Sequence, residues 1–262
     1  MQGTFIWYEL MTTDREAATA FYRDVIGWQV KEFAHMTAQG EPYAVFNVPG
    51  YDMGSAGAMA ITADMAKNGA TPAWCGYVGV GDVDAKAREF ADHGGAVHVP
   101  PTDIPNVGRF AVVADPHGAY LNLFKPMMTE APAGPPPGTP GTLGWSELMA
   151  DDGEEAFAFY SKMFGWEKAM AVDMGALGTY QTFTKDGVGP GGIGGMMTRI
   201  PDMPHAFWSY YTNVEAIDAA TERVKAAGGE IVNGPMEVPG GSWIVQCRDP
   251  QGAHFALVAP KR

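Results

Sequence analysis

Two glutamates in this chain stand where a carboxylate could do acid-base work. Glu9 and Glu147 each lie two residues after a tryptophan, Trp7 and Trp145, and two before a methionine, Met11 and Met149. The runs around them alternate at period two, so these side chains share one face of a strand, with Leu10 and Leu148 on the other. A carboxylate among aromatic walls has its pKa raised by desolvation and can take a proton near neutral pH. A structural ion pair would account for the same residue. Arg109 is the basic candidate for Glu9, but its counterpart in the second half of the chain is Trp243, so the halves would not share that bridge. Other routes to chemistry lack their parts. GVGPGGIGG at 187–195 imitates a dinucleotide loop without the strand before it or the helix after it, and there is no Walker lysine and no G-x-S-x-G elbow. Cys75 has no histidine partner in its own strand or module. His35, His93, His98, His117 and His205 are scattered over loops and element ends and form no zinc signature.

The elements that must position these residues are written twice. Residues 3–28, GTFIWYELMTTDREAATAFYRDVIGW, return at 141–166 as GTLGWSELMADDGEEAFAFYSKMFGW, an offset of 138. The ends of the halves correspond as well, with GG at 94–95 and 228–229, DP at 115–116 and 249–250, and GA at 118–119 and 252–253, now offset by 134. A period this long marks duplication of a whole domain. In each half a strand leads into a helix opened by Thr13 or Asp14, or by Asp152, and stopped at Gly27 or Gly165. Second helices at 82–95 and 213–229 end at glycine pairs, and the runs at 43–48, 74–80, 180–184 and 207–214 predict strands. Gly- and Met-rich stretches at 49–72 and 186–204 lack that pattern and are predicted as long loops, candidates for a lid or mouth. Residues 126–140, PMMTEAPAGPPPGTP, read as a linker extended toward polyproline II. Domains are therefore expected at 1–125 and 141–262.

Composition bounds the partners. With 17 basic and 30 acidic residues the 262-residue chain carries a net charge of −13, which repels a phosphate backbone or an anionic membrane. The N-terminal segment has acidic residues early and no basic, apolar, small-residue succession, which predicts a cytoplasmic protein. Cys75 and Cys247 sit in different halves within apolar contexts and are expected as free thiols.

The succession of a strand, D-x6-FY-x4-GW, a V-x-D or N-V-E entry to a helix, GG, and DP-x-GA before an apolar strand resembles the vicinal oxygen chelate superfamily. That superfamily contains glyoxalase I, bleomycin-resistance proteins and extradiol dioxygenases. The match runs nearly the whole chain, twice, and IPNVGRFAVVADPHGA at 104–119 is especially similar to the tandem two-domain glyoxalase-like branch. The resemblance implies an α+β fold of tandem glyoxalase-like domains, with four βαβββ modules whose mixed sheets are cupped around a small-molecule site. At the positions where metal-dependent members keep their ligands this sequence has Trp7 and Trp145, Cys75 and Ser209, and Asn122 and Ala256. Tryptophan cannot supply a ligand to a divalent ion, so no metal and no cofactor is expected. Those slots and the residues two away imply a cup lined by Trp7, Glu9, Cys75, Tyr77, Tyr120 and Asn122 in the first half. In the second half they imply Trp145, Glu147, Ser209, Tyr211, His254 and Ala256. His254 is the only histidine at such a slot and could act as acid, base or hydrogen-bond donor.

These readings converge on a protein that binds a small aromatic or electrophilic metabolite or toxin, as monomer or homodimer. It would act by sequestration or by glutamate-based acid-base chemistry, with Glu9, Glu147 and His254 as the catalytic candidates. Two alternatives stay open: a metal-dependent lyase, isomerase or dioxygenase using non-standard ligands, and a non-catalytic interaction protein whose cups are filled.

Overall fold

In the computed structural model the described residues are 2–34, 37–38, 40–128, 134–187 and 191–262. His35, part of the linker and part of the glycine run at 187–195 lie outside them. Four βαβββ modules follow one another. The first holds β1 (Phe5–Thr12), α1 (Arg15–Ile26), β2 (Gln29–Phe33), β3 (Tyr43–Asn47) and β4 (Gly54–Ala60). After a short α2 (Ala63–Lys67) come β5 (Ala73–Gly79), α3 (Val83–Asp92), β6 (Ala96–Ile104), β7 (Gly108–Ala114) and β8 (Tyr120–Pro126). The third holds β9 (Leu143–Ala150), α4 (Gly153–Phe164), β10 (Glu167–Asp173), β11 (Thr179–Thr184) and β12 (Gly194–Thr198). The last holds β13 (Phe207–Asn213), α5 (Ile217–Ala226), β14 (Glu230–Glu237), β15 (Trp243–Arg248) and β16 (His254–Ala259).

The helix ends obey the predicted chemistry. Asp14, not Thr13, caps α1 by accepting from the Ala17 N–H, and Asp152 accepts from Glu154 and Glu155 at the start of α4. Gly27 and Gly165 close the two helices at φ 91° and 70°, a left-handed backbone that glycine adopts without steric cost.

Each half forms one eight-stranded mixed sheet, ordered β2-β3-β4-β1-β5-β8-β7-β6 and β10-β11-β12-β9-β13-β16-β15-β14. The expectation of long loops at 49–72 and 186–204 is corrected here. Those stretches contain β4 and β12, which pair in parallel with β1 and β9 inside the sheets. Their Gly-, Ala- and Met-rich sequences carry little β-branched signal, and large rings from the adjacent strands lie across them. A Cβ added at Gly57 would fall 2.0 Å from the Tyr43 hydroxyl, and one added at Gly195 would fall 2.3 Å from a Tyr180 ring carbon.

Backbone packing divides the chain into two compact units that each draw on both halves. One comprises Met1–Ile6, Cys75–Thr129 and Trp145–Ser209, the other Trp7–Trp74, Glu130–Gly144 and Tyr210–Arg262. Each is centred on an aromatic cluster drawn from the repeated motifs. In the second unit Trp28 stacks on Phe46 at 4.7 Å, and its indole N–H donates to the Gly141 carbonyl at 2.7 Å. In the first, Trp166 stacks on Phe183 at 4.2 Å and donates to Gly3 at 2.6 Å. Tyr22, Trp28, Tyr160 and Trp166 are all almost completely buried. The recurring FY and GW motifs are therefore core, and their polar tips are satisfied within it.

Candidate functional site

One side-chain arrangement recurs in both repeats and centres on the predicted glutamates. The Trp7 indole N–H donates to the Tyr43 hydroxyl at 2.9 Å, and that hydroxyl donates to Glu9. In the second repeat Trp145 donates to Tyr180 at 2.8 Å, and Tyr180 donates to Glu147. The register explains the reach. Glu9 on β1 stands beside Gly57 on β4, and Glu147 on β9 beside Gly195 on β12, so a bare strand position separates each glutamate from its tyrosine. The phenol lies over the glycine, in the space on the sheet face that a side chain there would fill.

Electrostatics match the geometry. Glu9 and Glu147 are 9% and 6% exposed. Burial first, and the Glu9 carboxylate second, hold Tyr43 well above the usual phenol range, and burial with Glu147 does the same for Tyr180. Each tyrosine thus remains a neutral donor to its carboxylate, and each tryptophan fixes the direction of that donation. The apolar surround is set by Val45 and Met59, with Trp7, Met11 and Met65 packed against them. Arg109 does not serve Glu9: its guanidinium is held by Asp84 at 2.7 Å and Asp103 at 2.8 Å, where two carboxylates match its fork.

The other predicted lining residues behave individually. Cys75 and Cys247 form no disulfide and are both buried, and burial pushes the Cys247 thiol up to about 12. Tyr77 packs edge-on against Phe124. Tyr120 is half exposed, with its ring 4.6 Å from that of His98, which lies within β6 and not at an element end. Asn122 and Ser209 are buried. Tyr211 accepts from the Gln246 amide at 2.8 Å across Ala256, and His254 Nε2 accepts from Arg248 at 3.1 Å.

A divalent ion does not fit the residues at the superfamily's ligand slots. Trp7 and Trp145 present N–H donors already committed to tyrosine oxygens, and Ala256 has no donor atom. Among the described residues no three His, Cys, Asp or Glu side chains are grouped so as to hold a metal ion.

A family model described as Glyoxalase/Bleomycin resistance protein/Dioxygenase superfamily matches residues 4–123 and again 142–257. The chain belongs to this superfamily. CFP32 of Mycobacterium tuberculosis (strain CDC 1551 / Oshkosh), provisionally named a glyoxylase, is 31% identical over 267 residues, covering 99% of this chain and 95% of its own. The anthracycline biosynthesis protein DnrV of Streptomyces peucetius is 28% identical over 265 residues, covering 98% and 93%. The Mn(II)-bound glyoxalase from Novosphingobium aromaticivorans has a TM-score of 0.66 at 15% identity, over 99% of this chain and 82% of that one. The dioxygenase LapB from Pseudomonas sp. KL28 has a TM-score of 0.61 at 13% identity, over 96% and 90%. These likenesses establish the superfamily's α+β fold in tandem. No helix among the described residues is long and apolar enough to cross a membrane.

Tyr43 and Tyr180 are the residues that sequence reasoning missed. The signal was present, since each begins a Y-x-x-F run in its repeat and the residue two after it pairs with a glycine in the next strand. Recognising it required knowing that the glycine stretches were strands.

Proposed function

We propose that the protein binds a small, largely planar aromatic molecule in the cytoplasm. The Trp7–Tyr43–Glu9 and Trp145–Tyr180–Glu147 chains supply the working carboxylates, and no metal takes part. The observation that carries this reading is the duplicated chain itself. A buried carboxylate oriented by a neutral phenol and walled by aromatics is suited to accept a hydrogen bond or a proton from a ligand. The kinship to DnrV, named for anthracycline biosynthesis, supports an oxygenated aromatic ligand. His254, tied to Arg248, is assigned to orientation and not to proton transfer. Sequestration needs only the hydrogen bond, whereas catalysis needs the glutamate to exchange a proton with the ligand.

Glu9→Gln and Glu147→Gln test it. Glutamine keeps an acceptor for the tyrosine hydroxyl, so stability is expected to change by about 1 kcal/mol or less. A broken ion pair would instead cost about 3–5 kcal/mol. Binding of hydroxylated naphthalenes and anthraquinones, followed by calorimetry, is expected to weaken in at least one variant. Unchanged binding in both would remove the glutamates from the ligand site.

A further inference from the structure

The two repeats differ at one cross-strand row, and the difference leaves a buried acceptor uncompensated in the first. In the second repeat the row runs Asn233, Gln246, Ala256, Tyr211 over β14, β15, β16 and β13. Its polar groups bond to one another: Asn233 donates to Gln246 at 3.2 Å, and Gln246 donates to Tyr211 at 2.8 Å over the small Ala256. The corresponding row of the first repeat is Val99, Val112, Asn122, Tyr77 over β6, β7, β8 and β5. Valines have replaced the two amides, and asparagine stands where alanine did. Asn122 is 4% exposed, and its Oδ1 is buried with no hydrogen-bond partner.

A buried acceptor without a donor costs stability, and the protein could have avoided that cost with alanine, as at the equivalent Ala256. Two other described side chains carry such an atom, Asn47 and Gln251. Asn47 uses its amide to donate to the Asp52 carbonyl, and Gln251 belongs to the turn after Asp249. Of the three, Asn122 alone lies in the interior of a strand, on β8 between β5 and β7.

We propose that Asn122 is the acceptor with which the first repeat recognises a hydroxyl or N–H group on its ligand, and that the second repeat has no equivalent. This rests on the aromatic-ligand reading above and adds to it that the ligand carries a donor and that this recognition belongs to the compact unit containing Cys75–Thr129. Oδ1 is covered in the free protein, so the neighbouring side chains move aside as the ligand enters. The donor it brings satisfies an acceptor that was unpaired before. The Gln246–Tyr211 bond leaves the second repeat no such gain.

The test compares 2-naphthol with 2-methoxynaphthalene, two planar probes that differ in the donor, by fluorescence titration of the intact chain. The unmodified protein is expected to bind one equivalent of 2-naphthol about tenfold or more tightly than the methyl ether. Asn122→Ala is expected to abolish that preference and to keep the fold, since the second repeat has alanine there. Asn122→Leu, which refills the volume, should do the same with a raised melting temperature. Tyr211→Phe should leave the preference intact. A preference that survives Asn122→Ala and Asn122→Leu, or one that disappears in Tyr211→Phe, overturns the assignment, as does a lowered melting temperature for Asn122→Leu. Equal binding of both probes to the unmodified protein overturns this inference and spares the aromatic reading. Binding of neither overturns both.

Discussion

The Tyr22 hydroxyl donates to Asp249 Oδ2 at 3.0 Å, joining the FY motif of the first repeat to the DP turn of the second. Tyr160 returns the bond to Asp115 at 3.1 Å. Each tyrosine oxygen also accepts an indole N–H, from Trp74 at 2.8 Å and from Trp208 at 3.2 Å. The other oxygen of each aspartate closes its own turn, Asp115 on the His117 and Ala119 N–H groups and Asp249 on those of Gln251 and Ala253. The most recognisable motifs of the repeat thus hold one another, across the linker in sequence and within a compact unit in space.

Removing either hydroxyl should leave a buried carboxylate oxygen without its donor. Tyr22→Phe and Tyr160→Phe are each expected to cost about 1–3 kcal/mol in denaturant unfolding, with ligand binding per folded molecule unchanged. A cost near zero would mean that the aspartates are adequately held by their turns.

These aspartates also set a pH dependence. Burial, as the largest cause, raises both Asp115 and Asp249 above the ordinary carboxylate range. The native state therefore holds their protons more tightly than the unfolded chain does. Their contribution to stability is full below about pH 4 and is lost as pH rises through the native values. A double Asp115→Asn, Asp249→Asn variant should lose less stability than the unmodified protein between about pH 4 and pH 7. Denaturant melts at a series of pH values would show it, and parallel curves would contradict it.

The glycines beneath the tyrosines give a stability test of the site. Gly57→Ala and Gly195→Ala place a methyl group against the rings of Tyr43 and Tyr180 and should destabilise by about 1–3 kcal/mol. Combining Gly57→Ala with Tyr43→Ala should cost less than the sum of the two, because the clash disappears with the ring. Additive costs would place the strain elsewhere.

Proteolysis distinguishes the repeat from the folded unit. We propose 1–125 and 141–262 as the units of duplication, with early cleavage in the 126–140 linker. Because each compact unit contains segments from both sides of that linker, the two fragments should stay together in size-exclusion chromatography until denatured. Cleavage within Gly54–Ala60 or Gly194–Thr198 should be slow, since both are hydrogen-bonded inside the sheets. Separation of the fragments under native conditions would contradict the pairing.

Metal content is a further check. After expression in metal-replete medium, elemental analysis is expected to find less than a stoichiometric amount of any divalent ion, and prolonged dialysis against EDTA should leave 2-naphthol binding unchanged. One tightly held ion per repeat would defeat the metal-free reading.

What was legible in the sequence was local or repeated. Helix caps at Asp14 and Asp152, glycine stops at Gly27 and Gly165, and the strand faces carrying Glu9 and Glu147 follow from short-range rules that need no partner. The duplication supplied the two halves, and the resemblance carried by their motifs implied the number of modules and the superfamily. Tertiary structure decided everything that depends on what lies across a strand or beyond the linker. Gly54–Ala60 and Gly194–Thr198 are strands although their own composition argues against it, with aromatic rings from neighbouring strands lying over their glycines. Glu9 and Glu147 take tyrosine partners far from them in sequence, and Tyr22 finds its acceptor 227 residues away. Such contacts depend on sheet register and on which segments fold together, and neither is written in the pattern of a single element.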